Sequence, residues 1–365
     1  MPLIDELNIS PEPDFEARMK KVLLRQGEPD RVPFYELFAD KPIKDKILGK
    51  PTLLPILIPL PNARELVKNE IEFWYRLGYD YVPACPVFGF GMKAQFAQDT
   101  ARLSMGSRVW IDESGAGIIK NRKDYERFNW PDPDLVSFEL FDALAEHLPE
   151  GMVVFGQVSG VLENTLWLLG HEQMAYLSVD DPELLKEIFD QVGSRLVRMV
   201  ERMCQREFVG AIQMGDDMGF KTQTILSPKM LREYVFPWHK KAVEIAHQQG
   251  KPFILHSCGN LEQVMEDIIA LGIDAKHSFE DQVTPVGKAK KLWGDRIAIL
   301  GGVDVDFLAR TTPEQVREYT EKIIKECAPG GGYALGTGNS VTNYISPENY
   351  LMMLQTGWEL GKYPI

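Results

Sequence analysis

His256 and Cys258 stand one residue apart in the stretch 251–260, KPFILHSCGN. Phe253, Ile254 and Leu255 ahead of them form a short apolar run, entered through Pro252 and left through Gly259. That is how a strand buried on both faces reads. Alternate side chains of an extended chain share a face, so His256 and Cys258 project together from one strand end. An imidazole beside a thiol makes half of a zinc site, or a reactive cysteine with its base. The plainer alternative is a buried cysteine next to a histidine satisfied by a backbone carbonyl, and these residues alone leave both open.

The elements that must position this pair follow from periodicity and turn residues. A helix is predicted over 15–26, with Met19, Val22 and Leu23 on one face, then a strand over 31–36 that ends in Glu36. A proline-rich irregular excursion over 42–62, a helix over 65–77 and a strand over 78–83 lead into Cys85. Residues 86–135 are rich in Gly, Asp and turn residues and read as an insertion, with a hairpin over 107–119 turning at 112–117. From 136 onward the rhythm is regular. Helices over 137–148, 162–169, 182–206, 228–249, 261–271, 285–293, 312–327 and 347–361 alternate with strands over 152–155, 209–213, 252–256, 273–277, 296–300 and 332–335. Ser227 before Pro228, and Thr312 with Glu314 and Gln315 behind it, supply helix starts. Strands near 33, 80, 153, 210, 253, 274, 298 and 333, separated by helices, predict an α/β fold: a (β/α)8 TIM barrel forming one domain over 1–365, with an N-terminal extension and the 86–135 insertion. An open doubly wound sheet is the runner-up, but no GxGxxG follows the first strand.

Polar residues keep phase with those strands. Glu36, Cys85, Gln157, Asp216, Asp217, His256, Cys258, His277, Glu280 and Asp304 each fall at or just after a predicted strand end. In a barrel those ends converge on one rim, where such enzymes place their sites. That loops are polar in any case accounts for Asp306, Gln282 or Asn343, and less well for titratable groups at nearly every strand end. Asp216 and Asp217 read as a proton-transfer pair, with a helix cap on the following helix as the alternative for one of them, and at least one is expected to face the pocket; His239 and His247 read as surface or packing residues.

Bulk properties narrow the function. Hydrophobic residues are 44% and charged residues 25%, ordinary for a soluble globular chain. With 40 Lys and Arg against 53 Asp and Glu the formal charge is −13, which disfavours nucleic acid and anionic membranes as partners. Four scattered cysteines with no CxxC pair imply a reducing compartment. The N-terminus shows neither the basic nor the apolar region of a signal peptide, and no stretch approaches the roughly 18 apolar residues of a membrane span. A cytoplasmic location is expected.

The runs HSCGN (256–260), GGVD (301–304), GGGYALGTG (330–338) and SPEN (346–349) resemble the uroporphyrinogen decarboxylase superfamily, and the likeness spans nearly the whole chain. The opening RQGEPDRVP (25–33) is similar to its methyltransferase branch. True decarboxylases of that superfamily work without metal or cofactor and grip a tetrapyrrole with many carboxylates through arginines of an RQAGRY motif. At that place this chain has FYELFADK (34–41), with neither arginine and with the acidic Glu36; their C-terminal LGHG is LGTG (335–338) here. The other branch, the cobamide-dependent methyltransferases, uses zinc to turn a thiol into a thiolate. The resemblance then implies His256 and Cys258 as zinc ligands. The branch's third ligand, a cysteine in the loop of the last strand, is Asn339 here, and Cys327 comes too early. A carboxylate from among Glu36, Asp216, Asp217 and Glu280 is expected to replace it, with Glu36 placed in the metal set.

The resemblance thus implies zinc-assisted methyl transfer between a small-molecule substrate and a corrinoid (cobalamin) presented by a partner protein. Asp216, Asp217, His277 and Glu280 form the candidate catalytic set. Gly156, Gln157, Asp304 and Asn339 form the candidate cofactor-binding set. Uroporphyrinogen decarboxylation and a non-catalytic binding barrel are the alternatives, and a homodimer is left open.

Overall fold

The computed structural model describes residues 1–111 and 117–365. Its centre is an eight-stranded sheet among those residues, built from β1 (Ile56–Leu57), β2 (Tyr81–Pro86), β5 (Val153–Ser159), β6 (Val209–Gly215), β7 (Phe253–His256), β8 (Ala275–His277), β9 (Ala298–Leu300) and β10 (Tyr333–Ala334), neighbours in that order. Every adjacent pair is parallel. Strands β7, β8 and β9 are buried at every residue, the consequence of helices covering a sheet whose other face is interior. A two-stranded antiparallel ribbon, β3 (Ala94–Gln98) with β4 (Ser107–Ile111), stands apart from it.

Helices return the chain between parallel strands. Pro182–Cys204 leads from β5 to β6 and buries Leu185, Ile188, Val192, Leu196, Met199 and Met203 along one face. Asp181 caps it by accepting from the Leu184 amide at 3.0 Å, with Pro182 at the first position, where a missing N–H costs nothing. Thr312 and Gln315 form a reciprocal capping box on Pro313–Cys327. One hydrophobic cluster runs from Ile4 to Leu354. No described helix is long and apolar enough to cross a membrane.

Four expectations change on contact with the structure. The segment 31–36 forms no ladder strand. It meets β10 through a single parallel bridge, Phe34 to Leu335, with amide bonds Tyr35 to Leu335 and Leu335 to Pro33. Towards β2 the Tyr81 hydroxyl takes the place of backbone pairing, donating to the Glu36 carbonyl and accepting from the Glu36 amide, both at 2.7 Å. The sheet's eighth strand is β1 instead, inside the stretch expected to be irregular, which also carries the helix Lys41–Leu48. The helix predicted over 228–249 has a wide π-turn at Leu231–Val235, just ahead of Pro237, whose absent N–H interrupts the regular ladder; the helix at 15–26 likewise begins as a π-turn, Phe15–Lys20. In the insertion, β4 pairs backwards with β3, and the turn expected at 112–117 falls almost wholly outside the described residues.

The segment before β1 is held by a buried ion pair. Lys44 donates to both carboxylate oxygens of Glu70 at 2.6 Å, and Glu70 also accepts from the Trp74 indole (2.9 Å) and the Leu53 amide (3.0 Å). Both side chains are at most 5% exposed. Lys44→Met should therefore lower stability by about 3–5 kcal/mol in denaturant unfolding, because it strands a buried charge, and the double variant with Glu70→Gln should recover part of that loss.

Candidate metal centre

Parallel register brings three strand ends to one level: Gly215 of β6 lies beside His256 of β7, and His256 beside His277 of β8. The residues just past β6 are Asp216 and Asp217, whose side chains leave an extended backbone in opposite directions. Asp216 turns outward. Its carboxylate accepts from the amides of Val161 (3.0 Å), Leu162 (3.2 Å) and Glu163 (3.0 Å), and it meets His239 Nε2 at 2.7 Å. It caps the helix Val161–Leu169 that follows β5, rather than the next helix in the chain, and both it and His239 are fully buried. Of the two expected settings for His239, surface or packing, the structure shows the packed one, as a buried partner of that cap.

Asp217 turns inward to His256 and Cys258. Its Oδ1 lies 3.6 Å from His256 Nε2 and accepts from the Cys258 amide at 2.7 Å. Cys258 Sγ lies 3.5 Å from His256 Nε2. The three ligand atoms are all within 4.8 Å of one another. A tetrahedral zinc with bonds of about 2.0–2.3 Å places its ligand atoms roughly 3.3–3.8 Å apart, so the cluster fits that ion with little movement.

The hydrogen bonds behind His256 set its tautomer. His277 Nε2 lies 3.0 Å from the Thr337 carbonyl oxygen, which can only accept, so that nitrogen carries the proton. In a neutral His277 the Nδ1 is then an acceptor, and His256 Nδ1, 2.8 Å away, must donate to it. His256 Nε2 is left with its lone pair facing Cys258 and Asp217, as a ligating nitrogen requires. Burial holds both rings neutral: it pulls His256 down to about 3, with the Lys276 charge adding to the effect, and His277 well below the ordinary histidine value, with His256 adding. Gly301 makes room for this chain. Its φ is +77°, and a Cβ there would lie 2.2 Å from the Thr337 oxygen and 2.7 Å from His277 Nε2.

Two donors also reach the sulfur. Asn339 Nδ2 lies 3.2 Å from Cys258 Sγ and Ser278 Oγ 3.5 Å. Ser278 adopts φ +80°, an uncommon backbone state for a residue with a side chain. Lys276 directs its ammonium to the carbonyls of Ser257, His277 and Ser278 at 2.7–3.1 Å, fastening the ends of β7 and β8 together; burial brings it down to about 8. Burial, and then the Asp217 charge, push the Cys258 thiol far up, and burial also raises Asp217. Two acids forced towards their protonated forms beside a neutral imidazole nitrogen make a cluster that a cation relieves.

Asp217 and His256 line a cavity of about 570 Å³. Gln157, Gln213, Asp217, His256 and Asn339 lie on its polar side, and Leu37, Phe38, Leu54, Pro55, Ile56 and Ile58 form an apolar wall. Cys85 also lines it.

The remaining expected positions lie elsewhere. Glu36 is not among the clustered ligands: it is fully buried, and its carboxylate accepts from the Thr337 amide (2.8 Å) and hydroxyl (2.5 Å). Gly156 faces Met203 of the crossover helix rather than the cavity. Asp304 caps the helix Val305–Arg310 through the Phe307 amide and accepts from the Asp281 amide. Glu280 joins the site at one remove, through Asn339 Nδ2 at 3.3 Å. Ser278, Lys276, Thr337 and Gln213 were not anticipated. Of these only Lys276 and Gln213 left a trace, as polar residues inside otherwise apolar strands.

Residues 102–359 match the family described as uroporphyrinogen decarboxylase (URO-D). The chain belongs to the uroporphyrinogen decarboxylase family. Among its relatives is a methylated-thiol–coenzyme M methyltransferase of Methanosarcina mazei, 32% identical over 183 residues, which are 50% of this chain and 46% of that protein. Others are uroporphyrinogen decarboxylases of Pseudoalteromonas translucida (30% over 129 residues; 34% and 35% of the two chains) and Azoarcus sp. (23% over 255 residues; 65% and 68%). The chain thus spans about half the length or less of the first two. A solved methyltransferase from Methanosarcina mazei superposes with a TM-score of 0.71 over 95% of this chain and 99% of its own, at 16% identity, which shows a shared fold.

Burial raises Glu36 to about 8 against Thr337 bonds that lower it. Because its folded value exceeds the ordinary 4.5, the stability it allows is complete below about 4.5 and is lost as pH rises through about 8. Chemical denaturation should show wild type losing stability relative to Glu36→Gln between pH 5 and about 9, with no divergence below that window.

Proposed function

We propose that this protein transfers a methyl group between a small-molecule substrate and a corrinoid carried by a partner protein, on a single closed (β/α)8 barrel, with zinc held by Asp217, His256 and Cys258. The observation that carries the reading is the convergence of those three ligand atoms beside a cavity that Asp217 and His256 line. The methyltransferase relative and the fold shared with a methyltransferase support it. Asp217 takes the role that the family resemblance gave to a third cysteine, and Asn339, at that cysteine's position, donates to the Cys258 sulfur instead.

A zinc ion there supplies Lewis acidity towards a substrate oxygen, nitrogen or sulfur. The chain's own groups do the rest. His277 and Thr337 keep the lone pair of His256 Nε2 pointed inward. Asn339 and Ser278 stabilise negative charge on sulfur by donating to it. The apolar wall would keep water from the transferring methyl group, which would leave its electron pair on the heteroatom and bond through a pair supplied by the reduced corrinoid acceptor. Ile56, Ile58 and Leu60, all more than 40% exposed, lie at or beside the mouth, where a corrinoid partner would approach. Porphyrinogen decarboxylation is disfavoured, since no arginine or lysine is among the described residues lining the cavity to meet many carboxylates.

Metal analysis of protein purified without chelator and then offered zinc tests this. Wild type should hold about one zinc per chain, and Asp217→Ala, His256→Ala and Cys258→Ser should each lose it, while Glu36→Gln keeps it. Because Cys258 and Asp217 hold their protons tightly, zinc uptake should release protons and strengthen as pH rises, which calorimetry in buffers of different ionisation heat would read. A wild type that takes up no zinc removes the metal mechanism.

A further inference from the structure

The cavity contains a polar group that the methyl-transfer site does not use. Gln213 lies on β6 between apolar neighbours, is 1% exposed, and lines the cavity; neither its amide nitrogen nor its amide oxygen has a hydrogen-bond partner. Buried amides are seldom left so unless something else completes them. Its register partner across β5 is Gln157, whose own Nε2 is bound to the Leu37 carbonyl at 2.5 Å. Gln213 is therefore the amide free to meet a ligand.

An amide that must both donate and accept is matched by a group that does both. A hydroxyl or another amide qualifies; an ether or a carboxylate only accepts. Charge points the same way. The carboxylic acids along the described lining are Glu163 and Asp217, and it contains no arginine or lysine. The buried ammonium of Lys276, on the strand beside β7, is spent on three backbone carbonyls. Position follows from register. Gly215 is level with His256, and Gln213 sits two residues earlier on the same strand, roughly 6.6 Å deeper.

We propose that the substrate is an uncharged molecule with an apolar body, bearing its methylated heteroatom at one end and a hydroxyl or amide at the other, and that Gln213 recognises that second group. This rests on the methyl-transfer reading for the end that reacts. Gln213 is a specificity-determining residue in this account, and the wall from Leu37 to Ile58 accommodates the apolar body between the two ends.

Calorimetry on the full chain, as purified and after zinc loading, would use three probes of one size: para-methoxyphenol, para-dimethoxybenzene and para-methoxybenzoate. The phenol should bind about tenfold more tightly than the dimethoxy compound, because only it satisfies both atoms of the amide. The benzoate should give no measurable heat. Gln213→Leu, and Gln213→Met as a second variant of similar size, should bring the first two probes to within about twofold of each other, with zinc content unchanged. Equal or tighter binding of the benzoate overturns the proposal, as does a phenol preference that survives both substitutions, or no binding of any probe. The outcome is separable from the metal reading. A phenol preference in a protein that takes up no zinc when offered it removes the metal mechanism and supports the role of Gln213; zinc at the triad with a benzoate preference overturns only the substrate class.

Discussion

The site depends on the bond between two histidine rings. His256 and His277 sit side by side in adjacent strands, and the Thr337 carbonyl decides which of their nitrogens carry protons. A proton on His277 Nε2 forces one onto His256 Nδ1 and bares His256 Nε2. Burial makes the arrangement durable, since neither ring tolerates a second proton. The three participants come from the ends of three strands, β7, β8 and β10, so the ligand's electronic state is a property of the sheet rather than of any one loop.

Much of this architecture was written in periodicity. Strands near 80, 153, 210, 253, 274, 298 and 333 are where the apolar runs place them, and His256 and His277 end their strands while Asp216 and Asp217 follow directly on theirs. The segment at 31–36 misled because its apolar pattern is that of a strand, while its pairing is limited to two isolated bridges, Arg31 to Lys362 and Phe34 to Leu335, and a tyrosine hydroxyl, a tertiary arrangement with no local signature. Strand β1 was hidden for the opposite reason. Two residues between prolines carry too little pattern to be seen, and the buried Lys44–Glu70 pair that helps hold the segment before them joins distant parts of the chain.

In the site, the pairing of His256 with Cys258 was legible from a spacing of two on a strand. Which carboxylate joins them was not. Asp216 and Asp217 look alike in sequence; the strand's alternation sends one to a helix terminus and the other to the triad, and that choice depends on where β6 ends. Glu36 lies at the right end of its segment, yet Thr337 captures it through both carboxylate oxygens. Gln213 could have been flagged as a polar residue interrupting an apolar strand, but its lack of a partner is visible only when the neighbours are in place.

The loops after β6 and β7 touch so closely that they have no independent lives. Gly259 has φ +82°, and a Cβ there would lie 2.1 Å from the Gly219 carbonyl oxygen. The Asn260 amide donates to the Phe220 carbonyl, and the Met218 amide to the Ser257 hydroxyl. Asp217 and Cys258 therefore travel as a single piece of hardware welded from two loops. An insertion or deletion in either would have to be matched in the other to keep the pair in place. Diversification among proteins that keep this weld would be channelled to the opposite bank of the cavity, where the stretch from Leu37 to Ile58 can be rewritten without touching the metal ligands.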